Sequence, residues 1–517
     1  MKDVAAQQWD VIVIGTGIGG GTLGRALAEA GKRVLFLEKG PAGPRREETP
    51  LDPAMFEPTG RAVRGFWPAP VRARVDGREQ RFFAPLGAGV GGSSVFYAAT
   101  LERPERHDIE DSPARPHPTG GWALSYDGLL PQFDAAERLY RVCGTPDPLS
   151  SEPAGPLRPP PPLSPTDARF HADLTASGLH PYRQHSAIAY LDGCASCLGR
   201  KCPRPCKMDG RSAGVEPALA TGRAALIDRA EVTGLSHDGD RITGVTFARD
   251  GETVTCQAAH VVLSAGALSS PRLWMASDLP DASGLVGRNL MFHLNEMVAL
   301  WPRGRSGGTG APAGASKALS LRDLYHLDGQ RFGTVQAMGI DIGYGEIVHY
   351  LGLQVARGPL ARMPGKGLAL RAAAALGARL FGTAHVFVGL LEDLPYAENR
   401  VLPGPGIAID YTIHPELRTR RSAFRRALRR AFRGHRKWFL NFQPELNFGH
   451  PCGTLRLGDD PARSVVTPEG RAHGLENLWV ADASVFPTSM GVNPSLTIAA
   501  LALRTGDALI ARLEEEP

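Results

Sequence analysis

Three features of the chain predict an α/β fold built on a parallel sheet. An apolar strand pattern opens the sequence, a glycine-rich turn joins it to a helix pattern, and a second strand ends on an acid. Residues 9–14 (WDVIVI) make a short continuous apolar run, as a strand buried on both faces requires. Leu23, Leu27 and Ala30 then recur at helical spacing through residues 20–30. Between the two lies G-T-G-I-G-G. Gly15 permits the tight turn, Gly17 lets the backbone approach a pyrophosphate, and Gly20 lets the helix pack closely on the strand, so the helix N-terminus faces the anion. The second strand, 33–37, delivers Glu38 about 20 residues beyond the glycines, where a carboxylate can accept hydrogen bonds from ribose hydroxyls. A 2′-phosphate would be repelled there, which favours FAD or NAD over NADP.

At 517 residues the chain predicts two or three structural units, and 61 Gly with 43 Pro predict many turns and long connections. No run of about 18 uncharged apolar residues occurs, and the first ten residues lack the basic and apolar regions of a signal peptide. A cytoplasmic protein without a transmembrane segment is expected. The net charge of +5 is concentrated: residues 418–437 hold ten Arg or Lys and no acid. Phe424, Leu428, Ala431 and Phe432 fall there at helical spacing, so the stretch is read as an amphipathic basic helix. A solvated helix over the core is the simpler account; docking to an acidic electron-acceptor protein or an anionic membrane surface is the other. With no accompanying binding module, nucleic acid is not expected.

Near the other end stands N-F-G-H-P-C-G-T-L-R-L-G-D-D-P (447–461), followed by L-W-V-A-D-A-S-V-F-P-T-S-M-G-V-N-P-S-L-T-I-A-A-L-A-L-R (478–504). The apolar strand 478–481 brings Asp482 to its carboxyl end, and 496–503 has helix periodicity after the Asn493-Pro494 start signal. With the glycine turn, G-A-G-V-G-G-S-S-V-F-Y (87–97) and V-V-L-S-A-G-A-L-S-S-P (261–271), these segments resemble, in order and over nearly the whole chain, the glucose–methanol–choline (GMC) oxidoreductases. Those are FAD enzymes that take a hydride from an alcohol carbon.

The resemblance implies a discontinuous Rossmann-like FAD-binding domain from 1–110, 220–300 and 445–517. An α+β substrate or cap domain with an antiparallel sheet would take 111–219 and 301–444. It implies that His450 is the base beside the flavin and that Asn493 holds the partner position. Imidazole can accept the hydroxyl proton at working pH, and an amide can hold the same oxygen so that the carbon hydrogen points at flavin N5. Asn493 could also cap the helix that follows. The candidate cofactor contacts are Gly15, Gly17, Ile18, Gly20, Glu38, Lys39, Gly92, Ser93, Ser94, Val232, Asp482 and Ala483. His293 and His414 are read as structural.

Two departures stand out. Many members have Asn where this chain has Tyr97, which leaves open whether oxygen reaches the reduced flavin and hence whether the chain is an oxidase or a dehydrogenase. Residues 93–100 contain no histidine for a covalent link, so noncovalent FAD is expected. The second departure is C-A-S-C-L-G-R-K-C-P-R-P-C-K, in which Cys194, Cys197, Cys202 and Cys206 could bind zinc or an iron–sulfur cluster, pair as disulfides, or remain free thiols. The expected partners are an alcohol or sugar substrate and, as electron acceptor, O2, a protein or a quinone. A lyase that keeps FAD as scaffold, and a redox carrier that docks through the basic helix, are the competing readings. Residues 304–315, rich in Gly, Ser and Ala, are expected to form a mobile loop near the site entrance.

Overall fold

The structure, a computed structural model, describes residues 2–48, 58–303, 317–339, 366–381 and 384–516. The expected loop at 304–315 lies outside the described residues.

Strand Trp9–Ile14 is central in a five-stranded parallel sheet, flanked on one side by Ala258–Leu263 and Leu478–Val480 and on the other by Val34–Leu37 and Ala224–Ile227. Sequence segments from the start, middle and end of the chain thus share one sheet. The strands are apolar at nearly every position because helices cover the sheet: Leu23 and Leu27 of helix Ile18–Glu29 and Leu509 of helix Ser495–Glu515 join Val13, Phe36 and Trp479 in one buried cluster. Burying each such large side chain contributes about 1.5–3 kcal/mol.

A second, six-stranded antiparallel sheet runs in the order Lys437–Phe439, Leu294–Leu300, His385–Leu391, Val335–Ala337, Leu319–Leu321, Tyr182–Arg183. Helix Pro415–Ala431 lies on one face and buries Leu417, Phe424, Ala427 and Leu428. Gly389 makes room for it; a Cβ there would stand 2.6 Å from the Phe424 ring. Met297, Val386, Val388 and Leu390, which alternate with the helix-facing residues, form a small apolar cluster of their own. One end of the sheet is tied to the C-terminal segment, where Thr334 N donates to Gly491 O at 2.8 Å.

The basic stretch is shorter as a helix than the sequence reading, which carried it to Lys437. Helix Pro415–Ala431 stops before Gly434, whose φ is +93°, and Lys437–Phe439 pairs as an edge strand instead. His414 caps the helix, accepting from Glu416 N, and stacks on Tyr396. Several of the helix's arginines are answered locally: Arg418 by Asp76, Arg420 by Glu416, and Arg421 with Arg425 by the buried Glu296. Among the described residues no helix is long and apolar enough to cross a membrane.

Candidate functional site

The glycine turn has the shape a dinucleotide needs. Gly15 has φ +99°, and a Cβ on it would stand 2.3 Å from Ser264 O, so only glycine fits between the strands. Gly20 packs on Gly15 O in the same way, at 2.1 Å. Gly17 differs. It is the N-cap of helix Ile18–Glu29 with φ −63°, and a Cβ there would meet nothing within 4 Å. The helix N-terminus therefore opens on a cradle that a side chain would fill, which suits an anionic pyrophosphate. Ile18 is buried at its rim, and Gly92 packs onto it, its Cβ position 3.0 Å from Gly17 Cα.

Glu38 is buried at the end of its strand and accepts from Thr16 N (3.1 Å), Thr16 Oγ1 (2.5 Å) and Gly40 N (3.0 Å). Burial raises its pKa against these hydrogen bonds. Lys39 is drawn to Glu231, 2.6 Å away, and lies over the Trp67 ring. Ser93 Oγ accepts from Gly87 N; Ser94 Oγ donates to Gly91 O and accepts from Gly210 N, fixing the turn that faces Gly17. Val232 is half-buried on strand Glu231–Asp238. Asp482 accepts from Gly266 N and Ser270 Oγ through one oxygen and from Ser484 N through the other, and the buried Ala483 accepts from Gly453 N.

The second group of candidate residues centres on His450. Its Nδ1 is 3.2 Å from His293 Nδ1 and 3.2 Å from Asn447 Nδ2, with the His293 and His450 rings edge to face. His293 is fully buried, and its Nε2 reaches Met490 O at 3.0 Å. Met490 is held at φ +62°, a strained conformation for a side-chain-bearing residue that costs on the order of 1–3 kcal/mol. Three residues on is Asn493. It does not cap the terminal helix, as the sequence allowed: Pro494 holds the N-cap without a side-chain hydrogen bond, and the buried Asn493 Oδ1 has no partner among the described residues. His293 thus joins the segments that carry His450 and Asn493.

Burial pushes the pKa of His450 well below 6.5, and the charges of His293 and Lys317 push it the same way. His293 is lowered to about 4 by burial. Lys317, lowered to about 8 by burial, makes no ion pair among the described residues and lies 3.5 Å from Ala337 O. The sequence reading passed over Lys317, which stands in no recognisable motif, and gave no role to Asn447, although it opens the 447–461 motif; it took His293 as structural because nothing in the chain places it beside His450. A crevice of about 390 Å³ elsewhere includes none of these residues; its Arg331, Glu392, Glu416 and Arg420 pair with one another.

The cysteine segment packs behind the 92–97 turn. Cys194 and Cys206 have their sulfurs 3.2 Å apart, and Cys197 and Cys202 hydrogen-bond to each other. The zinc or iron–sulfur centre, one of the three possibilities the four cysteines left open, finds no support here. Among the described residues no group of three or more His, Cys, Asp or Glu side chains is disposed to hold a metal ion, and the four sulfurs stand as two close pairs. What joins the segment to the turn is Lys207, another residue the sequence reading missed. Its buried ammonium donates to the carbonyls of Val95, Cys197 and Arg200 at 2.7–3.0 Å. Tyr97 donates its hydroxyl to Met208 O, so its phenol is tied to the same segment.

With the geometry in place, comparison with known proteins gives the class. Family models described as GMC oxidoreductase match residues 9–295 and 404–502. The chain belongs to the GMC oxidoreductase family, whose members bind FAD, and is an FAD-dependent oxidoreductase acting on CH–OH donors. It is 27% identical to paromamine 6'-oxidase of Streptomyces fradiae over 98% of this chain and 92% of that one. It is 28% identical to 2-methyl-1,2-propanediol dehydrogenase of Mycolicibacterium austroafricanum over 99% and 97%. Crystal structures of pyridoxine 4-oxidase from Mesorbium loti (TM-score 0.62, 21% identity, 97% and 99% covered) and an Aspergillus oryzae formate oxidase variant (TM-score 0.69, 17%, 98% and 99%) share its fold.

Proposed function

We propose that the chain oxidises the CH–OH group of a small alcohol or sugar, with His450 as the base and Asn493 positioning the hydroxyl. FAD, held noncovalently at Gly15, Gly17, Gly20, Glu38 and the 92–94 turn, would supply the hydride acceptor. Domain boundaries at 1–110, 220–300 and 445–517 for the FAD unit, with 111–219 and 301–444 as cap, belong to this reading.

The observation that carries it is a pair of unanswered polar groups. Among the described residues nothing hydrogen-bonds His450 Nε2, and Asn493 Oδ1 is buried without a partner. A substrate hydroxyl would donate its one hydrogen to His450 Nε2 while its oxygen accepts from the amide nitrogen of Asn493, and Asn493 Oδ1 would take a further donor of the substrate or cofactor. Because burial keeps the imidazole neutral, it can take the hydroxyl proton at neutral pH as the hydride leaves carbon. The amide of Asn493 restricts the oxygen so that the carbon hydrogen faces the acceptor, an orienting contribution.

The test is the anaerobic visible spectrum of the holoenzyme with primary and secondary alcohols, including the relatives' paromamine, 2-methyl-1,2-propanediol and pyridoxine. Bleaching by one of them, slowed roughly 10²–10⁴-fold in His450→Ala, is the expected result. Oxidised flavin that no alcohol bleaches would favour a lyase or carrier, and bleaching unaffected by His450→Ala would reject the assigned base. Reoxidation of the reduced protein by O2, or by a quinone alone, would separate oxidase from dehydrogenase.

A further inference from the structure

We infer that His293 is a positioning residue that fixes the tautomer of His450 and leaves His450 Nε2 unprotonated toward the substrate. The inference rests on the proposed role of His450 as base.

The argument runs along a chain of three atoms. Met490 O can only accept, so the His293 Nε2 that lies 3.0 Å from it carries a hydrogen. A neutral imidazole protonated at Nε2 has a lone pair at Nδ1. That lone pair faces His450 Nδ1 at 3.2 Å. Were His450 also unprotonated at Nδ1, two lone pairs would oppose each other beside a fully buried ring. Protonation of His450 at Nδ1 turns the contact into a hydrogen bond, with His450 donating and His293 accepting. The remaining lone pair of His450 is then at Nε2.

Asn447 pulls the other way. Its Oδ1 accepts from Gly449 N at 3.0 Å, which turns its Nδ2, a donor, toward the same His450 Nδ1 at 3.2 Å. Asn447 is half-buried, whereas His293 is fully buried. Its amide can find water, and the misfit therefore costs less there. Burial also holds His293 low, at about 4, so the ring that accepts this hydrogen bond is neutral. The alcohol proton would move to His450 Nε2, and the resulting imidazolium would keep its Nδ1–H on His293; FAD, when bound, would supply the acceptor for the hydride of the alcohol carbon. Met490, bent into the left-handed region, presents the carbonyl that anchors the chain.

The test is ring-nitrogen NMR of 15N-histidine-labelled holoenzyme, with His450 assigned by its absence in His450→Ala. The expected spectrum shows His450 protonated at Nδ1; protonation at Nε2 overturns the inference, and this wild-type measurement stands even if a variant fails to fold. His293→Asn, whose amide oxygen can take the place of Nδ1 as acceptor, should keep the tautomer. His293→Phe should lose it and slow flavin reduction by roughly 10- to 10⁴-fold, the upper figure being the cost of holding a general-base histidine in the wrong tautomer. In a His450→Ala background His293→Phe should have no further effect. An equal slowing in both backgrounds would make His293 merely structural. If His450→Ala itself reduces flavin at the wild-type rate, the assignment of the base fails, an outcome separable from failure of the relay.

Discussion

Gly17 and Gly19, two residues apart in the same turn, should fail in different ways when each is changed to alanine. A Cβ on Gly19 would stand 1.7 Å from Ala481 O, a backbone atom. Ordinary contact, at about 3.4 Å, requires that carbonyl to retreat by about 1.7 Å, which overpacks the strand end and breaks the 2.8 Å hydrogen bond from Ser264 Oγ. Overpacking at about 1–3 kcal/mol and a lost hydrogen bond at about 1 kcal/mol together predict about 2–4 kcal/mol of lost stability. Gly17→Ala meets no protein atom and its φ of −63° suits any residue, so the fold is untouched. The added methyl instead occupies the approach to the helix N-terminus. Losing one charge-assisted hydrogen bond to the pyrophosphate, about 1.5–3 kcal/mol, predicts FAD binding weakened roughly 10- to 100-fold. Denaturant unfolding of the apoproteins and fluorescence titration with FAD separate the two. Wild-type FAD affinity in Gly17→Ala, or undiminished apoprotein stability in Gly19→Ala, would refute the reasoning.

With His450 held well below 6.5, the imidazole is already neutral at pH 6, and the rate of flavin reduction should be flat from pH 6 to 8. A histidine at its ordinary value would lose about fourfold by pH 6, so an acid limb of that size in stopped-flow traces would contradict the assignment. Lys317→Met removes one of the charges that lower His450; its pKa should rise, and the acid limb should move toward neutral pH in the same assay. Glu38→Ala leaves three donors in a buried turn without their acceptor, and urea unfolding should report a loss of about 1–3 kcal/mol, whereas no change would mean that water replaces the carboxylate.

The parallel sheet was legible in the sequence because its strands are covered on both faces, which writes them as unbroken apolar runs such as 9–14 and 478–480. Gly15 and Gly20 were legible because their neighbours leave no room for any other residue, and Glu38 because a strand ends on it at a fixed distance from them. His450 and Asn493 were recognisable through the motifs around them. The basic stretch was legible as amphipathic, but its end was not: Gly434 and the edge pairing of Lys437–Phe439, not the charge pattern, stop the helix. Helical spacing likewise says nothing of the partner that Asp76 or Glu296 provides from another part of the chain.

The sequence by itself determined the dinucleotide turn, the alternation of strand and helix that makes a parallel sheet, and the motif that carries the candidate base His450, since each depends on neighbours within a few residues. Tertiary structure alone decided what surrounds that histidine. His293 lies 157 positions from His450, and Met490 lies 197 from His293, so no local pattern records that the three form one line. The same holds for Lys207, whose ammonium closes the cysteine segment on the 92–97 turn, and for Lys317, whose charge acts on His450. Hydrogen bonds and buried charges act through space at a few ångströms, and only the folded chain sets which side chains come that close.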